Sequence, residues 1–409
     1  LKLFRKMADM VVRALTVREP DGWFPAGQTG DAGEPVTTHS ALALSAVWAC
    51  VNLISGTISS LPLMVYRAAA DGTRTVAKDH PLYRVLHDSP NFDQTAVDFW
   101  DFVCATLELH GDGIARIVPG SGHFVGGLVP VRPDIVSRRR MSSGVIEYRW
   151  SQDGRSYVET DATMLHIRGP GGDPLGGMST LHFGRHAFSL ARATDKAAGK
   201  TFANGLRPSG GLKFDKWLST EQRNIARSEI ADKIGADNAG KPIILEGGTD
   251  WVNFTLKPED AQMLESRAFS VEEICRFFGV PPVMIGHTSK TTSWPTGVEQ
   301  QGLILQKFTL RRRLKRIEQA LEKQLLTPQD RVAGISIEFN IEGLLRADSA
   351  GRSAFYKDMT SIGAMTINEV RMRENMPKVE GGDVPRMQMQ NIPITANPAD
   401  QQNLIGGPK

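Results

Sequence analysis

Phe278-Gly279-Val280-Pro281-Pro282-Val283-Met284-Ile285-Gly286 separates a helix from an exposed polar stretch. Glycine readily takes the left-handed conformation that closes a helix, and proline cannot extend one, so Gly279 before Pro281-Pro282 predicts a helix end. Upstream, Pro258 at a first helical position, with Glu259 and Asp260 in the first turn, predicts where that helix starts. Earlier still, Leu181 to Ala203 predicts another long helix whose Phe183, Ala187, Leu190, Ala191, Ala198 and Phe202 share a face, with Gly205 after its end. Between the two, Pro208 to Leu256 changes character. Short strands around Leu212 and from Ile243 to Leu245 bracket a helix opened by Ser219-Thr220-Glu221, which predicts a small inserted subdomain. Downstream, Gly286 to Gln301 is rich in Ser and Thr, poor in charge, and predicts an exposed loop. A further helix follows, with an apolar stripe of Leu303, Leu310, Leu314, Ile317, Leu321 and Leu325 and cations Lys307, Arg311, Arg312, Arg313, Lys315 and Arg316 on its other faces. Pro328 ends it.

The first half mixes both periods. Val47, Cys50, Ile54, Ile58 and Leu61 recur as on a buried helical face, and Leu63 to Arg67 then predicts a strand, with Asp71-Gly72 turning into another. Ala96 to Leu109 carries Phe99, Trp100, Val103 and Leu107 at helical spacing, closed by Gly111. A strand-rich stretch follows in which Val145 to Trp150 and Arg155 to Glu159 flank Asp153-Gly154, a strong hairpin signal, and Met164 to Arg168 predicts a third strand. Ile335 to Phe339 predicts a late strand, two short helices fit between Leu344 and Asn375, and the Pro, Gln, Met and Asn-rich stretch from Gly381 onward predicts a flexible tail. The fold class is α+β.

The 409 residues are ample for a core; 41% are hydrophobic and 23% charged, so a wholly disordered chain is excluded. The 48 Lys and Arg against 45 Asp and Glu leave a net charge of +3, far from the basic excess of a tight nucleic-acid binder. Cys50, Cys104 and Cys275 are odd in number and widely spaced, which argues against a disulfide framework or a zinc knuckle and for a cytosolic chain. Leu1 to Leu15 is basic and mildly amphipathic, without the apolar stretch of a secretory signal. Pro35 to Tyr66 has no Asp, Glu, Lys or Arg, but Asn52, Gly56, Thr57 and several serines interrupt it, so a buried helix is expected rather than a membrane span.

Chemistry is sparse. His182 and His186, four apart, could share a metal, yet no third ligand is evident. The glycines from Gly169 to Gly177 lack a following Gly-Lys-Ser/Thr and include Pro170 and Pro174, so a structural turn is expected rather than a phosphate cradle. Asp134 with Glu147-Tyr148-Arg149 echoes a metal-dependent nuclease, although arginine stands where that chemistry wants a lysine. No nucleophile elbow is visible. Arg311 to Arg316 and Arg138-Arg139-Arg140 could meet phosphates; a solvated face, inter-subunit salt bridges or acidic neighbours in an assembly are the plainer expectations. No cofactor, metal or catalytic residue is assigned.

Several segments together resemble the portal, or head-to-tail connector, family of tailed bacteriophages with flexible tails and of gene transfer agents. The resemblance is carried by Ser45-Ala46-Val47-Trp48-Ala49-Cys50-Val51-Asn52-Leu53-Ile54 leading to Leu61-Pro62-Leu63, by His80-Pro81-Leu82-Tyr83, and by Met164-Leu165-His166-Ile167-Arg168 before Gly177-Met178-Ser179. Phe278 to Gly286 is its most characteristic piece, and Gly363-Ala364-Met365-Thr366-Ile367-Asn368-Glu369-Val370-Arg371 with Gly381-Gly382-Asp383 completes it. Where the family usually has Gly-Asn-Ala-Tyr, this chain has Gly111-Asp112-Gly113-Ile114-Ala115, and Pro174 rather than Gly follows Asp173; both departures are expected to touch a packing loop.

The resemblance implies a ring, usually of twelve subunits, around a channel for double-stranded DNA, and a portal fold with an α/β wing, a two-helix stem, a small α/β clip and a short helical crown. Mapped onto this chain, 1–40 is an N-terminal arm, 41–180 the first part of the wing and 181–205 a stem helix. The clip takes 206–257, the other stem helix 258–283, the tunnel loop 284–302 and the second part of the wing 303–343. The crown covers 344–385 and a flexible tail 386–409. Thr288, Ser289, Lys290, Thr291, Thr292, Ser293 and Trp294 are the candidates for the channel's tightest ring; a subunit-contact loop is the alternative. Lys213, Lys216, Trp217, Arg223, Arg227 and Lys233 are the candidates for the clip's partner surface, with Trp217 as readily a core residue. The implied partners are further copies of the chain, the large terminase, a head-tail adaptor, the major capsid protein and the passing DNA, at the portal vertex of a virion or gene transfer agent particle assembled in the host cytoplasm. No membrane is implied. The competing expectation is a metal-dependent nuclease using Asp134 and Glu147.

Overall fold

The computed structural model describes residues 17–18, 30–69, 71–120, 125–203, 210–214, 219–221, 224, 249–253, 258–288, 295–341, 349–374 and 376–385. The chain divides into two units, residues 1–60 with 65–337, and residues 61–64 with 338–409.

The larger unit is built on two antiparallel sheets. One runs in the order β1 (Val17–Arg18), β6 (Ser137–Arg140), β7 (Ile146–Gln152), β8 (Arg155–Thr160), and the other in the order β5 (Val125–Val131), β4 (Asp112–Pro119), β9 (Met164–Arg168). The β7–β8 hairpin forms as its turn signal predicts: Asp153 and Gly154 both have positive φ, 52° and 73°, and the register pairs Gln152 with Arg155. Side chains from both sheets share one core, with Ile114, Val131, Val136, Ile146, Tyr148, Trp150, Met164 and Leu175 buried together. The departure at Gly111 to Ala115 is not a packing loop. Residues 112–115 open β4, between β5 and β9, and Asp112 is wholly buried.

Helices pack beside these sheets. α1 (Ser45–Ser59) buries Val47, Cys50, Ile54 and Ile58 to within 1% exposure, the predicted face, and each such Val or Ile contributes about 1.5 to 3 kcal/mol. It packs on α2 (Ala96–His110), which Thr95 and Asp98 open with a reciprocal capping box and Gly111 closes at φ 81°. The predicted helix from Leu181 is two pieces. Ser179 caps a short turn, Thr180–Phe183, Gly184 interrupts it, and α3 (Arg185–Ala203) follows. Of the expected face Ala191 and Ala198 are buried, Phe183 and Leu190 are exposed, and Phe188 is buried besides. The interruption also parts His182 from His186, which does not lie on the same helix. α3 packs along α4 (Pro258–Phe278), whose bounds match the prediction. Between them a two-stranded antiparallel ribbon, β10 (Gly210–Phe214) and β11 (Thr249–Asn253), pairs Leu212 with Trp251. The partner of the Leu212 strand is therefore 249–253; Ile243 to Leu245 lies outside the described residues.

Beyond α4, Pro282–Ile285 forms one 3₁₀ turn. α5 (Pro295–Ile304) then begins within the stretch expected as loop, because Pro295 takes a first helical position. It runs through a π-helical segment, Leu305–Leu310, into α6 (Arg311–Leu325). Leu310, Leu314, Ile317, Leu321 and Leu325 form the expected buried stripe, and Leu303 is exposed. β2 (Leu63–Ala68) lies between β3 (Arg74–Val76) and β12 (Ile335–Phe339). In the smaller unit α7 (Ser349–Ser361) and α8 (Ile367–Arg373) are joined by Arg352 and Tyr356, which both reach Glu374. Among the described residues, no helix is long and apolar enough to cross a membrane.

Candidate functional site

The most characteristic stretch of sequence sits on a buried polar junction of helix ends. Glu108, near the end of α2, accepts two hydrogen bonds from Arg313 of α6, at 2.6 and 3.0 Å, and a third from the Thr180 hydroxyl at 2.9 Å. Arg313 also donates to the Phe278 carbonyl at the end of α4, and the Thr309 hydroxyl donates to the Gly279 carbonyl. A bidentate arginine fixes orientation as well as charge, so the last turn of α4 is locked to α2 and α6. Thr309 belongs to the π-helical segment, where one extra residue per turn shifts the phase of the side chains ahead of α6. Gly279 has φ 70°, and a Cβ there would stand 3.0 Å from the Thr309 hydroxyl oxygen. The positive φ favours glycine, and a Cβ would push on the Thr309 hydroxyl.

From this junction the chain leaves through Pro281-Pro282, turns at Gly286 with φ 82°, and reaches Thr288, which is exposed. Ser289, Lys290, Thr291, Thr292, Ser293 and Trp294 lie outside the described residues; the next described element is α5 at Pro295. Thus the tunnel candidates are bounded on both sides by helix starts and stops. The expected loop to 302 is shorter by the α5 residues.

For the partner-surface candidates, Lys213 lies on β10 in register with Asp250 of β11. Lys216, Trp217, Arg223, Arg227 and Lys233 lie outside the described residues.

A second buried polar cluster was not anticipated from sequence. Asp112 on β4 accepts from Arg138 of β6 at 2.6 Å, from the Gly177 backbone at 2.7 Å and from His166 Nε2 of β9 at 2.9 Å. Tyr148 of β7 meets His166 Nδ1 at 3.0 Å. Burial is the leading cause that drives His166 down to about 4, so it is neutral; Nε2–H donates to Asp112 and Nδ1 accepts from Tyr148, whose hydroxyl burial pushes up to about 12. The cluster ties the two sheets together. It also explains the glycine-rich stretch: Asp173 Oδ1 accepts from the amides of Leu175 and Gly176, and a Cβ on Gly177 would collide with backbone of Gly111 and Gly169. That stretch is a structural turn.

The remaining candidates fall to internal pairing. Arg138 is buried against Asp112, Arg139 pairs with Glu147 and Arg140 with the Gly144 carbonyl, so each member of this run meets an acceptor within its own chain. In the other run Arg313 serves the junction and Lys315 pairs with Glu318. Burial pushes the Asp134 carboxyl up, but the Arg132 hydrogen bond and the charges of His110 and Arg132 together hold it low; Glu147 is held low by Arg149 first and Arg139 next. Carboxylates neutralised by arginine are poor cation ligands, and among the described residues no group of three or more His, Cys, Asp or Glu could hold a metal ion. His186 lies 3.1 Å from Asp31.

Exposed apolar side chains gather on the long helices: Trp48 on α1, Phe183 and Leu190 before and on α3, Phe269 and Phe277 on α4, Leu303 and Ile304 on α5, and Phe308 beside them at 62% exposure.

The family model described as "Phage portal protein" matches residues 45–375. The chain belongs to the phage portal protein family. The portal protein of Enterobacteria phage HK97 is 35% identical over 375 residues, covering 90% of this chain and 87% of that one. Among solved structures, a chain of the virion of a native gene transfer agent particle matches with a TM-score of 0.62 at 23% identity, over 84% of this portal chain and 95% of that chain. A chain from the neck of the native particle, computed with C12 symmetry, matches with a TM-score of 0.60 at 21% identity, over 84% and 93%. Both share the fold of this portal. The matched span contains both polar junctions, all three cysteines and the 288–294 segment.

Proposed function

We propose that this portal protein closes into a ring, of twelve subunits, at one vertex of a capsid, and that double-stranded DNA enters and leaves through the ring's channel. The family match across residues 45–375 carries this reading. The C12 symmetry used for the neck of a structural relative supports the number, and the exposed apolar residues on α1, α3, α4 and α5 supply surface for neighbouring copies to cover.

In this ring the sheets, α1 and α2 are the wing, α3 and α4 the stem, and the ribbon of β10 and β11 the base of the clip. α7 and α8 are the crown. The segment 288–294 faces the channel, where Lys290 is its one cation. A duplex carries one charge per roughly 1.7 Å, so a strongly basic lumen would hold DNA fast through counterion release. A polar ring with one lysine per copy attracts phosphates weakly, without regard to sequence, which suits a conduit. The clip, through Lys213, Lys216, Trp217, Arg223, Arg227 and Lys233, takes the large terminase during packaging and the head-tail adaptor afterwards, and the wing meets the major capsid protein. The chain does no chemistry of its own; the motor supplies the energy.

Native mass spectrometry of the full chain at near-physiological salt, with negative-stain class averages, tests the ring. A closed ring with a central hole is the expected result. A monomer or dimer, both alone and with capsid protein added, would overturn it.

A further inference from the structure

Cys50 and Cys275 are 225 residues apart in sequence, but their sulfurs are 4.0 Å apart and both side chains are buried. One sits in the middle of α1, the other near the end of α4, and these helices pack on each other. Two thiols at that distance are in van der Waals and weak hydrogen-bond contact. A disulfide needs about 2 Å less between the sulfurs.

A cavity of about 190 Å³ lies one helical turn from the pair, with neither cysteine in its wall. Ala46, one turn before Cys50, and Val271, one turn before Cys275, both line it, together with Asp195, Arg267 and His287. A mixed polar lining admits small polar solutes, so a peroxide-sized molecule can come within one helical turn of either sulfur without unfolding the core.

We propose that Cys50 and Cys275 are a modification site, at which hydrogen peroxide joins them into an intramolecular disulfide that ties α1 to α4. The Cys50 S–H donates to Cys275, which lowers the Cys275 thiol and raises that of Cys50, so Cys275 ionises first. Its thiolate attacks one peroxide oxygen and the O–O bond breaks. The departing hydroxide takes up a proton to become water, leaving a sulfenic acid on Cys275. The Cys50 sulfur then attacks the Cys275 sulfur: the S–S bond forms, the S–O bond breaks, and hydroxide leaves with the Cys50 proton as a second water. Two thiols and one peroxide thus give one disulfide and two waters. Cys104, the third cysteine, is buried on α2 with its thiol pushed up chiefly by burial, and stays reduced. On the portal reading, the link would fasten a stem helix to the wing once a particle leaves the reducing cytosol. The chemistry itself does not depend on that reading.

The test treats the full-length protein with hydrogen peroxide below its melting temperature, alkylates the remaining thiols and digests without reductant for mass spectrometry. The expected product joins the Cys50 and Cys275 peptides, with Cys104 alkylated and the chain still a monomer band on a non-reducing denaturing gel. The melting temperature should rise by on the order of 5 °C, fall back on adding a thiol reductant, and show no such rise in Cys50→Ser or Cys275→Ser. Recovery of all three thiols unmodified, separate sulfinic acids at the two positions, or a link between chains would each overturn the proposal. None of these outcomes bears on ring formation.

Discussion

The two buried polar clusters look alike on paper and differ in what surrounds them. At Asp112, Arg138 and His166 every partner is sealed: side-chain exposures are 0%, 2% and 0%. At Glu108 and Arg313 they are 9% and 20%, and the arginine spends part of its donor set on backbone carbonyls at the end of α4. A sealed cluster joins two sheets and has no slack. A partly open one joins the ends of α2 and α4 to α6, next to the segment proposed to face the channel. The same ion-pair chemistry therefore fixes the body in one place and holds the end of α4 in the other.

The sharpest way to break the comparison is to delete the sealed carboxylate. Asp112→Ala leaves Arg138 charged and buried with no counterion, and should cost about 3 to 5 kcal/mol in chemical denaturation. A loss below that of Arg313→Ala would reverse the ranking of the two clusters.

Acid offers a second route to the same cluster. The folded chain holds His166 near 4 against an ordinary 6.5, so between those values the unfolded chain binds the extra proton. Stability is fully present above about pH 6.5 and is lost as pH falls toward 4, by roughly 3 kcal/mol. Protonation removes the acceptor that Tyr148 uses and places a cation beside Arg138. In His166→Gln the slope of stability against pH across that window should flatten; an unchanged slope would assign it to other groups.

The smallest effect is expected at the open junction. Arg313→Ala frees Glu108 to take water in place of its arginine, and a loss of about 2 kcal/mol should follow in the same denaturation experiment. Its larger consequence should be assembly: rings should form poorly or lack a defined channel in class averages, because the end of α4 is no longer held.

Local signals were legible where one residue type decides one conformation. Gly111, Gly279 and Asp153-Gly154 closed their helices and turn as read, and the α1 and α6 stripes were buried as their spacing requires. The β4 strand was hidden because Asp112 and Gly113 are poor strand formers; tertiary pairing with β5 and β9 overrides that preference. Gly184 breaks a helix that periodicity alone continues. The sealed cluster was unreadable because its members come from four strands, although Arg138 and His166 both stood inside stretches that drew attention for other reasons. The Cys50–Cys275 contact was missed for the same reason: spacing in sequence says nothing about two helices that meet 225 residues apart. Of the candidate site, the framing of the proposed channel segment was legible, since prolines and glycines mark it, and α5 begins before its expected far end.

The most direct measurement is a reconstruction by electron cryo-microscopy of the ring formed by the full chain. The account predicts a central channel whose narrowest circle is made by residues 288–294 of each copy, with α3 and α4 leading away from it and the exposed Phe308 covered by a neighbour. A ring whose narrowest point is built from other residues, with 288–294 on the outer rim, would contradict it.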